Sequence, residues 1–373
     1  MNANKTKQIV VIVGGGIAGI STSYFLATQG VECIVIEKDS LGSHASGFAY
    51  GGLNPIAGAG IEGPTGLIAQ EGMKLHRQLA MSLQLITGID TEYRLKPTLS
   101  LAFNIHEERI LKRNLNWQTH QEGFEVDWID NFETRKMESR ISNHIIGAVY
   151  TQGTAEVEPY KFLMALSHAS EKLGTQIRHG KVTGLLTSNN EVSGILLENG
   201  SIKCDKVVFA MGPWSSHITQ WLRLPLNIQP LKGQIIRLRI PGNHFRYSIS
   251  WSKNYATTKP DGLIWAGTTE EDSGFDEMPT SKGRDDIMTS LLKMIPSLEE
   301  AELIQQTACI RPFSPDELLI MGELFGIGGA FITTGAGRKG ILLGPAMGKI
   351  TSDLIVKGSS DIPIDIFSPN RFI

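Results

Sequence analysis

One stretch decides the fold, IVVIVGGGIAG at residues 9–19. Its first half is rich in β-branched residues and apolar almost throughout, which favours a strand covered on both faces within a parallel sheet. In the glycine run that follows, Gly14 permits a tight turn, Gly16 lets the backbone approach a pyrophosphate, and Gly19 lets the next helix pack close to the strand. We therefore predict a strand at 8–13 and a helix at 17–29.

The residues after this helix complete the same unit. Gly30 stands where a helix C-terminal glycine is expected, and residues 31–36 predict a second strand that ends at Glu37. An acid at this distance is placed to accept hydrogen bonds from a ribose hydroxyl, while the helix N-terminus faces the phosphates with its partial positive charge. A glycine motif alone is weak evidence, but the complete unit predicts a dinucleotide site, with NAD and FAD both open at this point.

Composition limits the classes of function. The chain has 373 residues, enough for two domains, and a formal net charge of −3, so we expect no nucleic-acid partner. Cys33, Cys204 and Cys309 include no CxxC pair, and no His/Cys cluster accompanies them, so neither disulfides nor a metal site is predicted. The apolar run at 9–13 is too short to span a membrane, and we expect a cytoplasmic protein without a transmembrane segment.

Two further segments accompany the first unit. GSHASG at 42–47 is followed by Gly51, Gly52 and Leu53, and KVVFAMGPWS at 206–215 has the form of a strand and a turn. Together with the N-terminal unit, these segments resemble the D-amino-acid oxidase superfamily, the group of glycine oxidase, sarcosine oxidase and the D-amino-acid dehydrogenases, over nearly the whole chain. The resemblance implies FAD as the cofactor.

A fourth segment, FITTGAGRKGILLGP at 331–345, resembles the final strand, loop and helix of the same family. A glycine-rich loop that begins a helix presents free N–H groups and a positive dipole end, which suits the electron-rich edge of a reduced flavin. A flavin-free NAD enzyme would not explain this second glycine loop. Glycine-oxidase-like members commonly have histidine where Ala336 stands and asparagine where Lys339 stands, so the subfamily stays open.

The cofactor contacts that the motif and the resemblance imply are spread over the whole chain. Ser43 and Ser46 match a loop that lies along the pyrophosphate and flavin in the family, and Val182 matches the position whose backbone meets the adenine. The full predicted set is Gly14, Gly16, Ile17, Ala18, Gly19, Glu37, Lys38, Ser43, His44, Ala45, Ser46, Gly52, Leu53, Val182, Ala210, Gly212, Trp214, Gly337, Arg338, Lys339, Gly340 and Ile341.

The predicted fold class is α/β with an α+β second domain. A Rossmann-like FAD-binding domain takes 1–88, 148–229 and 309–373, and an antiparallel-sheet substrate domain interleaved with it takes 89–147 and 230–308. In the second part of the substrate domain, strands are predicted at 231–240, 247–259 and 263–268, with a turn at 260–262. In the family, such a sheet covers the flavin face and forms most of the substrate pocket.

Arg311 is the first candidate for substrate binding. A guanidinium holds a carboxylate through two parallel, charge-assisted hydrogen bonds, and several amino-acid-oxidising relatives have an arginine at the matching position. The alternative is a structural pair with Asp316 or another acid. Tyr247 and Tyr255 are further candidates because their stretch resembles the sheet that supplies a substrate-facing tyrosine, with core packing as the alternative for both. The acids in GTTEED at 267–272 are expected on a solvated turn, without a catalytic role.

Cys309 occupies the place of the cysteine that carries covalent flavin in sarcosine-oxidase-like relatives. We expect a small buried side chain and non-covalent FAD, with a covalent link as the alternative. No catalytic acid or base is assigned, because flavin accepts the hydride and the protein orients the substrate. Ile264 and Trp265 stand where sarcosine-oxidase relatives often have a lysine for oxygen reactivity, so oxygen, a quinone and other acceptors all stay open.

The predicted function is FAD-dependent oxidation of the C–N bond of an amino acid or N-substituted amino acid, by an oxidase or a dehydrogenase. One alternative is a dehydrogenase of 2-hydroxy acids or glycerol phosphate. Another is a tRNA-modifying oxidoreductase, which residues 45–47 and 52–55 also resemble, although its basic domain is missing. A subunit of a larger flavoprotein complex is the third, and the oligomeric state is open.

Overall fold

A computed structural model of the chain describes residues 8–58, 60–222, 224–242 and 244–373. Within these ranges the helices are α1 (Ile17–Thr28), α2 (Ala45–Phe48), α3 (Pro64–Thr87), α4 (Ile105–Gln118), α5 (Asn131–Met137), α6 (Pro159–Lys172), α7 (Ile218–Leu222), α8 (Ser281–Met294) and α9 (Gly340–Lys357). Short 3₁₀ helices include Gly212–His217 and Gly337–Lys339. No helix within the described ranges is long and apolar enough to cross a membrane.

The strands are β1 (Ile9–Val13), β2 (Glu32–Glu37), β3 (Gly52–Leu53), β4 (Arg94–Leu95), β5 (Thr98–Ala102), β6 (Glu125–Asp130), β7 (Gly147–Gln152), β8 (Ala155–Glu156), β9 (Gln176–His179), β10 (Val182–Ser188), β11 (Glu191–Leu197), β12 (Gly200–Lys203), β13 (Lys206–Phe209), β14 (Gln229–Arg239), β15 (Ser248–Trp251), β16 (Asn254–Thr258), β17 (Ile264–Gly267), β18 (Glu302–Phe313), β19 (Ile320–Glu323) and β20 (Ala330–Thr334). Most of them belong to two large sheets.

The first large sheet has six strands in the order β19-β20-β13-β1-β2-β9. All neighbours pair in parallel except β19, which is antiparallel to β20. Its central strand β1 is buried on both faces: Val10 and Ile12 join a core formed with α1, α3, α6 and α9, and Val11 and Val13 join a core formed with the three-stranded sheet β10-β11-β12. This two-sided burial explains why the strand is apolar throughout.

The second large sheet has eight strands in the order β18-β14-β17-β16-β15-β5-β7-β6. Its pairs are antiparallel except for β5 with β15. Helix α8 packs on it through Ile287, Leu291 and Met294, which are fully buried in a separate core. A parallel sheet with helices and a largely antiparallel sheet within one chain match the predicted fold class.

Two details of the sequence prediction are corrected by the strands. Residues 247–259 form two strands, not one, because Ser252 takes a left-handed φ of 54° and a two-residue turn joins β15 to β16. Three predicted domain boundaries, after residues 147, 229 and 308, fall inside β7, β14 and β18, which belong to the eight-stranded sheet. The strands of that sheet therefore lie within two stretches of the sequence, residues 98–152 and 229–313.

Candidate active site

A cavity of about 1250 Å³ is lined by residues of both large sheets and their loops. Pockets for drug-sized ligands usually measure roughly 300–1,000 Å³, so this cavity has room for a dinucleotide and a small second ligand. On the side of the six-stranded sheet, called the first domain below, it is lined by the glycine turn after β1, the ends of β2 and β13 and the start of α9. On the side of the eight-stranded sheet, called the second domain below, it is lined by residues of β14, β15, β16 and β18.

The glycine turn after β1 has the close contacts that the sequence predicted. A Cβ on Gly19 would lie 2.0 Å from the carbonyl oxygen of Gly14, so only glycine lets α1 approach the strand this closely. Gly16, the N-cap residue of α1, offers no side-chain cap, and the Ile17 N–H donates to Ser46 Oγ at 3.0 Å. Gly14, Gly16, Ile17 and Ala18 line the cavity. The positive end of α1 therefore opens on it.

One end of the cavity lies where β2 ends. Glu37, Lys38 and Val182 line it together, although Val182 is far away in the sequence. The Glu37 carboxylate accepts hydrogen bonds from the Gly15 N–H at 2.6 Å and from the Asp39 N–H at 2.9 Å. The ribose-binding role of Glu37 stays a prediction, but its carboxylate is already fixed against the glycine turn.

The loop at 42–47 lines the cavity through His44, Ala45 and Ser46, and Gly52 lies beside them. Ser43 does not line it; its hydroxyl is buried in an adjoining depression and has no hydrogen-bond partner among the described residues. Leu53 is fully buried in the core under the first sheet, and Gly19 packs against Gly14 within the glycine turn. The structure therefore places Ser43, Leu53 and Gly19 behind the wall of the cavity.

The C-terminal loop forms a second helix N-terminus on the same cavity. Gly337, Arg338, Lys339, Gly340 and Ile341 line it, and α9 begins there without a side-chain cap. Lys339 Nζ donates to Asn54 Oδ1 at 3.2 Å, and burial, reinforced by the neighbouring Arg338, lowers the pKa of Lys339 to about 8. Ala210, Gly212 and Trp214, after β13, complete this wall. Both glycine loops that the sequence singled out thus open on one space.

Arg311 lies on β18, and its side chain is buried. Its Nη2 donates to Thr268 Oγ1 at 2.6 Å and its Nη1 to the Thr269 carbonyl at 3.2 Å. No carboxylate forms an ion pair with Arg311 within the described part of the chain. Asp316 is instead bound by Arg371 at 2.9 Å, so the structural Arg311–Asp316 pair is ruled out. Arg311 keeps donors for a ligand in the cavity.

The two tyrosine candidates lie in different places. Tyr255 lines the cavity and stacks on Tyr50, with ring centroids 4.2 Å apart. Its hydroxyl is buried without a hydrogen-bond partner among the described residues, and burial raises the pKa of Tyr255, so the hydroxyl keeps its proton. Tyr247 packs edge-on against Tyr150 in the core of the second domain and does not line the cavity. Tyr247 therefore lies outside the site, and its predicted role in substrate binding is wrong.

Glu270 is the residue that the sequence prediction missed. It lines the cavity, bonds Lys253 and accepts from Arg338 Nη1 at 3.2 Å, so its expected place on a solvated turn is wrong. Burial alone would raise the pKa of Glu270, but the two cations lower it. Strand alternation does not mark this position, because Glu270 lies beyond the end of β17 and outside a regular strand.

Cys309 also lines the cavity, from β18, and is almost completely buried. Burial raises the pKa of its thiol, so the thiolate that would attack an electrophile is disfavoured. No group of three or more His, Cys, Asp or Glu side chains suited to a metal ion was found in the described ranges.

Comparison with known proteins places this geometry in a family. The model of the DAO family, described as FAD dependent oxidoreductase, matches residues 10–354. The chain belongs to this family. The predicted family and cofactor are thereby confirmed, and the enzyme is an FAD-dependent oxidoreductase. The cavity fits FAD, since the uncapped N-termini of α1 and α9 present N–H groups and positive dipole ends to a ligand that carries a pyrophosphate and an electron-accepting ring.

Relatives within the family match along nearly the whole chain. Glycine oxidase from Geobacillus kaustophilus is 28% identical over 370 residues, which are 98% of this chain and 97% of that protein. The crystal structure of glycine oxidase from Bacillus cereus is 30% identical with a TM-score of 0.88, covering 95% of this chain and 96% of the other. The crystal structure of the Geobacillus kaustophilus enzyme has a TM-score of 0.92 at 27% identity, covering 98% and 100%.

Proposed function

We propose that this FAD-dependent oxidoreductase oxidises the C–N bond of a small amino acid or N-substituted amino acid, with Arg311 as the residue that binds the substrate carboxylate. The observation that carries the proposal is the buried guanidinium of Arg311, which lines the cavity without an acidic partner in the described chain. A buried cation of this kind is completed by an anionic ligand. The similarity to glycine oxidases supports an amino acid over a hydroxy acid, a glycerol phosphate or a tRNA.

The chain's own residues would bind and orient the substrate. Arg311 would take the carboxylate through the donors that Thr268 and Thr269 leave free, and these two threonines fix the plane of the guanidinium. The Tyr255 hydroxyl would donate to the same carboxylate. A bound amino acid would then be held in one orientation, which fixes the direction of its Cα–H bond. Orienting the reacting bond in this way is the main contribution that binding makes to the rate of this type of reaction. FAD, when bound, accepts the hydride.

Arg338 and Glu270 would form the boundary between the substrate space and solvent. Arg338 is held by Glu270 and by the Lys253 carbonyl, to which its Nη2 donates at 2.9 Å. These contacts join the C-terminal loop of the first domain to the hairpin of β15 and β16 in the second. Because the Lys253 side chain is 62% exposed, this cluster stands at the mouth of the cavity. It would restrict access of water and large substrates.

The FAD-loaded enzyme tests the proposal directly. Anaerobic addition of glycine, sarcosine and larger amino acids, in both stereochemical forms, should bleach the flavin, and 2-hydroxy acids and glycerol phosphate should not. Reoxidation by oxygen or by a quinone then identifies the electron acceptor. Bleaching by a hydroxy acid but by no amino acid would overturn the proposal in favour of the alternative class.

The Arg311→Met variant tests the residue that carries the proposal. Loss of a charge-assisted bidentate contact should raise the Michaelis constant for the substrate by roughly 10²-fold, with FAD content unchanged. Arg239→Met is the matched control, because Arg239 makes an exposed ion pair with Glu302 on the outer part of the same sheet. An Arg311→Met enzyme with the Michaelis constant of the control would reject the role.

A further inference from the structure

The segment at 272–279 begins and ends in the second domain and contacts the first domain between its ends. It follows Glu271, whose backbone pairs with that of Lys232, and it ends where α8 begins. Lys232 is almost completely buried and its Nζ donates to Asp276 of the segment at 2.8 Å. The middle of the segment is therefore fixed to β14, close to the threonines that hold Arg311.

The two residues on either side of Asp276 contact two walls of the cavity. Phe275 stacks on Trp214, with ring centroids 5.6 Å apart and ring planes at 29°, and it also lies against His217. Glu277 accepts from His44 Nδ1 at 2.9 and 3.1 Å. His44 and Trp214 both line the cavity, and their rings lie 4.6 Å apart. The segment thus contacts both the loop at 42–47, through Glu277, and the turn after β13, through Phe275.

The second ring nitrogen of His44 is also bound by an acid. Its Nε2 lies 2.8 Å from Asp39 Oδ2. Ionised carboxylates only accept hydrogen bonds, so both ring nitrogens donate, which requires the doubly protonated imidazolium. The hydrogen bond to Glu277 raises the pKa of His44, burial opposes this, and the bond to Asp39 adds to the rise. With both nitrogens occupied, His44 has no ring donor left for a cofactor.

His44 nevertheless acts on the cofactor site through its own loop. Ser46, two residues further on, accepts the hydrogen bond of the Ile17 N–H at the start of α1. On the other wall, the Lys38 ammonium lies 4.1 Å from the centre of the Trp214 ring. The contact of His44 with Glu277 therefore joins the second domain to the place where the uncapped helix opens on the cavity.

We propose that His44 is a positioning residue: as an imidazolium, it holds the 272–279 segment against two walls of the FAD cavity and thereby retains FAD. Loss of the His44 proton speeds the release of FAD. The inference goes beyond the proposed reaction and does not depend on which substrate is oxidised. The acids Asp39 and Glu277 attract the imidazolium, and the hydrogen bonds weaken when the ring becomes neutral, since one nitrogen then has no proton to donate.

Other titratable groups surround this contact. Lys38 lies 3.3 Å from Asp39 and helps to keep it ionised, His217 lies against Phe275, and His179 lines the adjoining depression with His44. Because the pKa of His44 is raised in the fastened form, the contact is complete below the ordinary histidine value of about 6.5 and is lost as pH rises through the raised value. Retention of FAD should therefore weaken toward alkaline pH.

The rate of FAD release from the holoenzyme tests the proposal. The wild-type rate, followed by the fluorescence of free FAD after dilution, should increase about tenfold between pH 6 and pH 9. Glu277→Gln should release FAD about tenfold faster than wild type at pH 6, with a nearly flat pH profile. Asp272→Asn is the matched control, since it removes an exposed acid from the same segment, and it should keep the wild-type rate and profile.

The Phe275→Leu variant distinguishes the effect of the His44–Glu277 ion pair from that of the Phe275–Trp214 packing. It removes the stacking on Trp214 but leaves the His44–Glu277 contact, so release should be faster at every pH while the pH dependence stays that of wild type. It also provides a test if Glu277→Gln does not fold. A wild-type release rate independent of pH, or a wild-type profile in Glu277→Gln, would overturn the proposal, and neither result would affect the proposed oxidation.

Discussion

The hydroxyl of Tyr255 is available to form a hydrogen bond with a ligand. It is buried without a hydrogen-bond partner among the described residues, and the Tyr255 ring stacks on Tyr50. An unpaired buried polar group costs about 1–3 kcal/mol, which a well-placed acceptor on the substrate would recover. The arrangement resembles that of Arg311, whose guanidinium is also only partly used. In the proposed function, both side chains would bind the same carboxylate.

We expect Tyr255→Phe to raise the Michaelis constant about tenfold without lowering the stability of the protein. Loss of the hydroxyl removes a donor to the substrate, while no hydrogen bond within the protein is broken. Steady-state kinetics and urea unfolding measure the two effects. Tyr247→Phe is the control, because Tyr247 lies in the core of the second domain and should leave the Michaelis constant unchanged. Equal constants for both variants would contradict the assignment.

Cys309 leads to a prediction about the cofactor linkage. Since burial keeps its thiol protonated, we expect FAD to be bound without a covalent bond. Acid precipitation of the holoenzyme should leave all flavin in the supernatant, and Cys309→Ala should retain its FAD. Flavin that stays with the wild-type pellet but not with the Cys309→Ala pellet would establish the covalent alternative.

At the scale of elements, the N-terminal unit could be predicted almost to the residue. The expected helix at 17–29 is found at Ile17–Thr28, and the expected strand at 31–36 at Glu32–Glu37. Its signals are local: apolar β-branched runs, glycines at required positions and an acid at the strand end. The turn between β15 and β16 was missed because Ser252, not glycine, takes the left-handed conformation there. Nothing local distinguishes such a serine from one within a strand.

Helices α1 and α9 cross at a distance that only glycine permits. A Cβ on Gly348 would lie 2.4 Å from Ser21 Cβ and 2.5 Å from the Ser21 carbonyl carbon, and a Cβ on Gly344 would lie 2.5 Å from Ile17. This contact places the N-termini of both helices on the same cavity. The spacing of two glycines in α9 is thus part of the cofactor site, although neither glycine lines it.

Gly348→Ala should therefore reduce the free energy of unfolding by about 3 kcal/mol and weaken FAD binding, because the added methyl group forces the two helices apart. Urea unfolding of the FAD-free protein measures the first effect and FAD titration the second. Gly340→Ala is the control for stability, since the nearest atom to its Cβ would be 3.9 Å away. A Gly348→Ala protein as stable as this control would show that the helices can separate at no cost.

At the scale of the whole molecule, a buried charge cluster joins the small sheet β3-β8-β4 to the eight-stranded sheet. Glu156 on β8 is completely buried and accepts from Arg94 Nε at 2.6 Å. Lys259, just after β16, lies 3.5 Å from its other oxygen and also donates to the Val157 carbonyl. Lys96 is buried nearby, and burial lowers its pKa to about 8. One carboxylate therefore balances several cations.

Glu156→Gln should destabilise the protein by about 3–5 kcal/mol, because it leaves the buried cation of Lys259 without a counter-charge and removes the acid that binds Arg94. Urea unfolding at neutral pH measures the loss. The control is Glu198→Gln, which removes the acid of an exposed ion pair with Lys181 and should cost less than about 1 kcal/mol. A loss as small as that of the control would mean that water reaches the cluster.

Long-range partners are the part of the site that the sequence could not predict. Its motifs predicted the family and the cofactor, and most of the residues predicted as cofactor contacts line the cavity, because each motif shapes its own backbone. Glu270 bonds Arg338, and Glu277 bonds His44 across 233 positions of the chain, through side chains that have no motif of their own. Such pairs depend on how the two sheets face each other, which no short stretch of residues determines.

The central sheet of the first domain also has a consequence for biosynthesis. Its order places β13 between β1 and β20. Strand β13 gains β20 only after all strands of the eight-stranded sheet have been made, and β1 gains β13 only when residues 206–209 have been made. Until then, one edge of β1 has unpaired backbone groups and apolar side chains on both faces. The nascent chain should therefore need chaperone protection for most of its translation, and FAD should bind only after synthesis is nearly complete.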